Sequence, residues 1–353
     1  MTMKAIVKSK PAVGIQVMDV PIPRFQADEV LVQVEAVGIC GSDVHIYEWT
    51  PGYEFMEKNF PVTLGHEFAG VVVDGGPETK SRFRPGERVT SETGKICGRC
   101  FYCQRGRGVL CELRLQFGRI GLERNGAMAR FLTVPWTSLH RIPSDVSFEE
   151  AAMAEPAGVG LGAVRTATID PGDDVAILGP GPIGLMILQM CKTRGAGRVL
   201  VLGLKEDEPR LKVAKDLGAD HVFIAGEEGT REAILELTAG RGLAVVFEVS
   251  GSPKAAVSGL QMLRPTGELI LVGIYSDHIP FDGTRQIVRP IRTIKGSWGA
   301  ASPDWTRVLT LLAAKKLNFQ PLISKILPVA QATEGFEMIR RREGLKVLFQ
   351  PRN

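Results

Sequence analysis

The stretch Val175-Ala176-Ile177-Leu178-Gly179-Pro180-Gly181-Pro182-Ile183-Gly184 decides how the chain is read. Its first four residues are apolar without alternation, as a strand covered on both faces would be. Gly179, Gly181 and Gly184 follow in G-x-G-x-x-G spacing, and the apolar run Leu185 to Cys191 predicts a helix directly behind them. In that setting the first glycine permits a tight turn. The second lets the backbone approach a pyrophosphate, and the third lets helix pack on strand. Pro180, Pro182 and Ile183 fill the turn, and unpaired N–H groups at the helix start would meet the phosphates. An ordinary strand–turn–helix joint is the alternative. A membrane span is excluded, because the apolar window Val175 to Cys191 holds only 17 residues, two prolines and three glycines, against about 20 apolar residues for a spanning helix.

A dinucleotide fingerprint also expects an acidic residue about 20 positions further on, to bind a ribose 2′-hydroxyl. Counting from Gly184 reaches Gly203, in Val201-Leu202-Gly203-Leu204-Lys205, where no carboxylate stands. Lys205 and Arg210 are near enough in the chain to meet a 2′-phosphate, while Glu206 and Asp207 remain candidates for a ribose hydroxyl. The stretch admits NAD or NADP and slightly favours NADP.

Further strands are expected at Arg198-Val199-Leu200-Val201-Leu202, His221-Val222-Phe223-Ile224, Ala244-Val245-Val246-Phe247 and Leu269-Ile270-Leu271-Val272, with helical stretches between them. This alternation implies a parallel sheet with helices on both faces. It begins near residue 153 and ends around Ile294-Lys295-Gly296. Residues 1–150 are instead β-rich, with short runs such as Val30-Leu31-Val32-Gln33-Val34 set between Pro and Gly signals. The tail carries helical segments near Trp305–Lys316 and Ala330–Arg342, then a strand at Lys346-Val347-Leu348-Phe349. A length of 353 residues suits two domains. A net charge of +4 gives no reason to expect nucleic acid or a membrane surface as partner. The first residues show no secretory pattern, so the expectation is a soluble, cytoplasmic protein.

The cysteines carry the strongest local signal. Cys97, Cys100, Cys103 and Cys111 lie within 15 residues, and four thiolates at this spacing can enclose one tetrahedral zinc ion. A closed shell leaves no position for substrate, so this zinc is read as structural, holding a lobe at 94–114. An iron–sulfur cluster or four unrelated thiols are the alternatives. A second, dispersed set is Cys40 and His66 with a carboxylate, in Gly38-Ile39-Cys40-Gly41-Ser42-Asp43-Val44-His45 and Gly65-His66-Glu67. Three ligands leave a fourth position open, as a catalytic zinc requires. Ser42 and His45 are candidates to relay a proton, and Asp43 is a candidate to accept the free ring N–H of His66. Taken singly, each of these residues also has an ordinary packing role.

Together these residues resemble the zinc-containing medium-chain dehydrogenases, in the branch of sorbitol, polyol and L-threonine dehydrogenases. The match runs in order through Gly38–His45, Gly65-His66-Glu67, Pro85–Val89, the four-cysteine lobe, Glu155-Pro156 and Gly179–Gly184. The resemblance implies an α/β plus β architecture. A GroES-like β-rich catalytic domain (1–152 plus 295–353) would receive an inserted Rossmann-fold coenzyme domain (153–294), with the active site in the cleft between. It implies two zinc ions per chain, a glutamate ligand drawn from Glu155 or Glu67, and NAD or NADP as coenzyme. It also implies a homotetramer or homodimer. The substrate expected is a secondary alcohol such as a polyol, sugar alcohol or cyclitol, with L-threonine second. His45-Ile46-Tyr47-Glu48-Trp49 looks like the threonine branch, yet that branch has histidine where Gly94 stands. Both branches carry an arginine shortly after a Lys-Gly pair, and Ser297-Trp298-Gly299-Ala300-Ala301 has none. A catalytically inactive coenzyme-binding protein is the reading from another class. The retained Cys40, Ser42, His45, His66 and Glu155 argue against it.

Overall fold

Strand Val175–Leu178 is buried along its whole length and lies at the centre of a six-stranded sheet. The order across that sheet is His221–Ile224, Val199–Gly203, Val175–Leu178, Leu243–Glu248, Leu263–Leu271 and Thr293–Gly296, all parallel. The chain builds outward from the central strand in one direction, then returns and builds in the other. The carboxyl ends of Val175–Leu178 and Leu243–Glu248 therefore flank a topological switch point, where such sheets open a crevice for ligands. Helices Pro182–Thr193, Glu208–Asp216, Thr230–Leu237 and Pro253–Met262 connect the strands. Leu185, Met186, Ile187, Leu188 and Cys191 of the first of these are fully buried, so that Cys191 is a core residue and burial pushes its thiol up.

The β-rich unit contains a three-stranded sheet of Thr2–Lys8, Gln16–Pro21 and Val62–Thr63, and a seven-stranded sheet centred on Glu29–Gly38 and Glu67–Gly75. Glu29–Gly38 buries Val30, Val32 and Val34 at every second residue, the period a strand imposes. These side chains meet Phe68, Val72, Val89, Val347 and Phe349 in one core. The last strand, Lys346–Gln350, pairs with Glu29–Gly38 through Leu348 opposite Gly38, so the tail completes the sheet begun near the N-terminus.

The computed structural model describes residues 1–352. Its contacts divide the chain into a unit of Met1–Pro156, Ala301–Lys315 and Phe319 onward, and a unit of Ala157–Ala300 with Lys316–Asn318. The return to the first unit falls later than residue 295, where the sequence puts it. Thr293–Gly296 is a sixth parallel strand, and its half-exposed edge position leaves no apolar run to announce it. Among the described residues, no helix is long and apolar enough to cross a membrane.

Candidate metal and coenzyme sites

Sheet register assembles the first site. Gly38 ends its strand opposite Glu67, which places Cys40, two residues beyond Gly38, beside His66, one residue before Glu67. Cys40 then starts helix Gly41–Glu48. One ligand atom each from Cys40, His66 and Glu67 lies within 4.8 Å of the others. His66 and Glu67 are buried. Burial opposes a charge on the His66 ring, but Cys40, which hydrogen-bonds it, and the carboxylates of Asp43 and Glu155 outweigh that cost and push it up to about 10. The groups around His66 thus favour a cation at this position. A thiol, an imidazole and carboxylates form a donor set suited to zinc. His66 Nδ1 and Asp43 Oδ1 are both buried and, among the described residues, both without a hydrogen-bond partner.

The expected hydrogen bond from His66 to Asp43 is therefore not formed. Asp43 instead accepts the Cys40 N–H through Oδ2 at 2.9 Å, and so holds the start of the helix against the ligand cluster. Burial raises the Asp43 carboxyl above its usual range. Ser42 Oγ is buried without a partner, while His45, one turn on, is exposed and has Nδ1 3.4 Å from Thr50 Oγ1. Ser42 and His45 share a helix face but not a hydrogen bond. Glu155, at the start of helix Ala154–Thr166, lies outside the set of ligand atoms within 4.8 Å. Burial raises its carboxyl, and His66, Glu67, Lys346 and Arg114 are close enough to act on it electrostatically.

Lys346 was not legible from the sequence. Its ammonium forms an ion pair with Glu67, with side-chain exposures of only 4% and 1%, and donates to Ile39 O at 2.8 Å. Burial works against the ammonium, yet Glu67 and the Cys40 sulfur hold it charged above its usual range. A side chain at Gly38 would place its Cβ 2.6 Å from the Glu67 carboxylate, so the glycine is what leaves room for the pair.

The second cluster brings together Cys97, Cys100, Cys103 and Cys111, with sulfur atoms within 4.8 Å of one another and no disulfide. Backbone N–H groups already point at the sulfurs: Cys97 N reaches Cys111 Sγ at 3.3 Å, and Cys100 N reaches Cys97 Sγ at 3.3 Å. N–H groups of Cys103 and Glu112 lower the Cys100 thiol to about 6, whereas burial pushes Cys103 up to about 12. Four sulfurs at this separation match a closed tetrahedral zinc site.

In the other unit, Gly179 adopts φ +113°, a conformation open to glycine, and its Cβ would sit 3.1 Å from Ser250. Gly181 starts helix Pro182–Thr193, and a Cβ there would meet nothing within 4 Å, so its backbone is accessible. A Cβ on Gly184 would lie 2.1 Å from Gly179 O, the close approach of helix to turn. At Gly203 a Cβ would lie 2.8 Å from Pro180 and 3.0 Å from Asp207. A carboxylate cannot occupy that position without rebuilding the turn. Asp207 is not available for a ribose hydroxyl either, since it is buried, accepts the Leu204 N–H at 3.0 Å and faces Arg210 Nη1 at 3.7 Å. Lys205 and Glu206 are exposed.

Known proteins place this architecture. Residues 26–144 match the alcohol dehydrogenase GroES-like domain, and residues 182–314 match the zinc-binding dehydrogenase domain. A sorbitol dehydrogenase of Halalkalibacterium halodurans is 37% identical over 352 residues, covering 99% of both chains. An L-threonine 3-dehydrogenase of Pyrococcus abyssi is 35% identical over 349 residues, covering 98% of both. A crystal structure assigned as a zinc-binding dehydrogenase from Sinorhizobium meliloti 1021, bound to NADP, superposes with a TM-score of 0.89 at 29% identity, covering 99% of this chain and 100% of that one. The fold is that of a GroES-like domain joined to a Rossmann-type parallel sheet. The chain belongs to the zinc-containing medium-chain dehydrogenase family.

Proposed function

We propose that the chain is a zinc-dependent oxidoreductase that transfers hydride between a secondary alcohol of the polyol class and NAD or NADP. The observation that carries this reading is the Cys40–His66–Glu67 cluster, a thiol, an imidazole and a carboxylate whose ligand atoms lie within 4.8 Å of one another. Cys40, His66 and a glutamate would hold the catalytic zinc, and the four cysteines would hold a structural one. Zinc in the first site would supply Lewis acidity, which makes an alcohol a stronger acid and eases hydride loss from its carbon.

The chain's own residues do the rest. Ser42 Oγ, buried and without a partner among the described residues, is the hydroxyl that can accept the alcohol proton as it passes its own on. His45, exposed on the same helix, releases it to solvent, and a bridging hydroxyl must span the gap between them. Asp43 Oδ1 and His66 Nδ1 are the complementary acceptor and donor that this site leaves open, and their pairing would fix the ring's tautomer. Lys346 pairs with Glu67 while donating to the Ile39 carbonyl, which leaves Glu155 as the carboxylate able to approach the metal or its fourth position. Gly179 to Gly184 bind the pyrophosphate, and Lys205 with Arg210 favours a 2′-phosphate, because Gly203 excludes the acidic side chain that would select NAD. A homotetramer or homodimer is the assembly expected of this family.

L-Threonine remains the second substrate reading, supported by the 35% identity to the Pyrococcus enzyme. Gly94 and the arginine-free stretch 297–301 count against it. The test is an oxidation screen over polyols, cyclitols, simple secondary alcohols and L-threonine, with NAD and NADP in parallel, beside a zinc determination. The reading requires turnover of a secondary alcohol and two zinc ions per chain, one for each cluster. A chain that carries zinc only at the cysteines and oxidises none of these alcohols would overturn it.

A further inference from the structure

We propose that Glu248 is a positioning residue for the coenzyme, a buried carboxylate that ties together the two segments, 249–251 and 273–275, beside the Gly179 turn. The inference rests on the dinucleotide reading of that turn. Glu248 ends its strand at the switch point, opposite Leu178, and is fully buried. Its carboxylate accepts the Ser250 N–H at 2.9 Å and the Gly251 N–H at 3.1 Å, together with the hydroxyls of Ser250 and Tyr275. No cation among the described residues pairs with it. An ionised carboxylate offers about four acceptor sites, and here donors fill all of them. Burial and the bond to Glu248 push the Tyr275 phenol up, so the proton stays on the tyrosine.

These bonds have a geometric consequence. Val249 N donates to Leu178 O at 2.9 Å, and Val272 N and Gly273 N donate to Glu248 O at 2.8 and 3.1 Å. The two segments are thereby drawn into contact. A Cβ on Gly273 would lie 2.2 Å from Gly251 N, and one on Gly251 would lie 2.3 Å from Ile274 O. Ser250 in turn packs on Gly179, so the carboxylate sets the turn, Ser250 and Ile274 at fixed spacing. Ile274 is 65% exposed, an apolar side chain held out beside a backbone that can meet a pyrophosphate. An apolar wall with a few placed polar groups is the lining a coenzyme site needs.

Glu248→Gln keeps the shape but turns one acceptor into a donor, which then faces another donor. Titration of NADH and NADPH against the zinc-loaded protein, followed by nucleotide fluorescence, is expected to give a dissociation constant raised about tenfold or more, the scale of one lost charge-assisted hydrogen bond. The coenzyme KM should rise in parallel, while the alcohol KM moves less than about threefold. Tyr275→Phe removes one donor and should shift the coenzyme constant in the same direction by a smaller factor. A lower melting temperature with a coenzyme constant within about twofold of wild type, in both variants, would show a structural role only and overturn the proposal. If Glu248→Gln does not fold, Tyr275→Phe and Ser250→Ala carry the same test. A wild-type protein that binds neither nucleotide would reject the coenzyme reading itself, and the proposal with it.

Discussion

His66 shows how much of the site depends on single atoms. It is the one imidazole in the buried cluster, and the groups around it are acidic. His66→Ala should remove one of two zinc ions and lower kcat/KM by at least about a thousandfold, since the metal's share of transition-state stabilisation is several kcal/mol. Coenzyme binding should survive, because the nucleotide turn lies in the other unit. A His66→Ala protein that keeps both zinc ions and full turnover would end the zinc account. Lys205 decides a subtler matter. With Gly203 closed to any side chain and Asp207 committed to the Leu204 N–H, Lys205 and Glu206 are the exposed charged residues just past strand Val199–Gly203, and the lysine is the one able to meet a 2′-phosphate. Lys205→Ala should weaken NADPH about tenfold, the worth of one charged hydrogen bond, and NADH by less than about twofold. Equal effects on the two nucleotides would count against a 2′-phosphate contact. Cys40, His66 and Glu67 were legible in the sequence because each sits in a short run whose residue types suit a metal. Lys346 was not, because its partner lies at the other end of the chain and only the sheet register brings them together.

At the scale of elements, helix Gly41–Glu48 carries Ser42 and His45, and its far end is fastened by an unexpected residue. Lys8, from the first strand, is 1% exposed, and its bonds among the described residues go to carbonyls, not to a carboxylate. Its ammonium binds the carbonyls of Ala12, Gly14 and Tyr47, the last at 3.4 Å, and lies 5.2 Å from the Trp49 ring. A cation at a helix C-terminus suits the dipole. Burial nevertheless lowers Lys8 from 10.5 to about 8. The unfolded chain therefore binds more protons between those values, so wild-type stability should rise with pH across that window, by at most about 3 kcal/mol. Lys8→Met has no group to titrate and should lack the rise. Melting temperatures of both proteins at pH 7.5 and 10 would test this, and a gap that does not change in favour of wild type would contradict it. Element types were well marked in the sequence where apolar runs are continuous, as at Val175–Leu178 and His221–Ile224. Thr293–Gly296 was missed because an edge strand needs no continuous apolar run, and its backbone bonds to a neighbouring strand leave no local trace.

For the molecule as a whole, the two clusters differ in what holds them. The Cys40 site adjoins, along the chain, a sheet core of buried apolar side chains that includes Val37, Ile39, Leu64 and Phe68. The four-cysteine lobe has no such core. Phe101, Tyr102, Leu110 and Leu115 are all exposed, and its helices Phe101–Gln104 and Arg114–Phe117 are four residues each. Segments this short are not stable alone. Metal binding must then supply the folding energy of the lobe, on a scale of about 10–16 kcal/mol in small zinc peptides. Cys103→Ser should therefore release one zinc ion and open residues 95–114 to protease, while the two sheets stay intact by far-UV circular dichroism. Chelation of the wild-type protein should produce the same cut. His66→Ala, which empties only the other cluster, should leave the lobe resistant. A lobe that stays uncleaved in Cys103→Ser would mean that its hydrogen bonds to backbone, and not the metal, keep it folded.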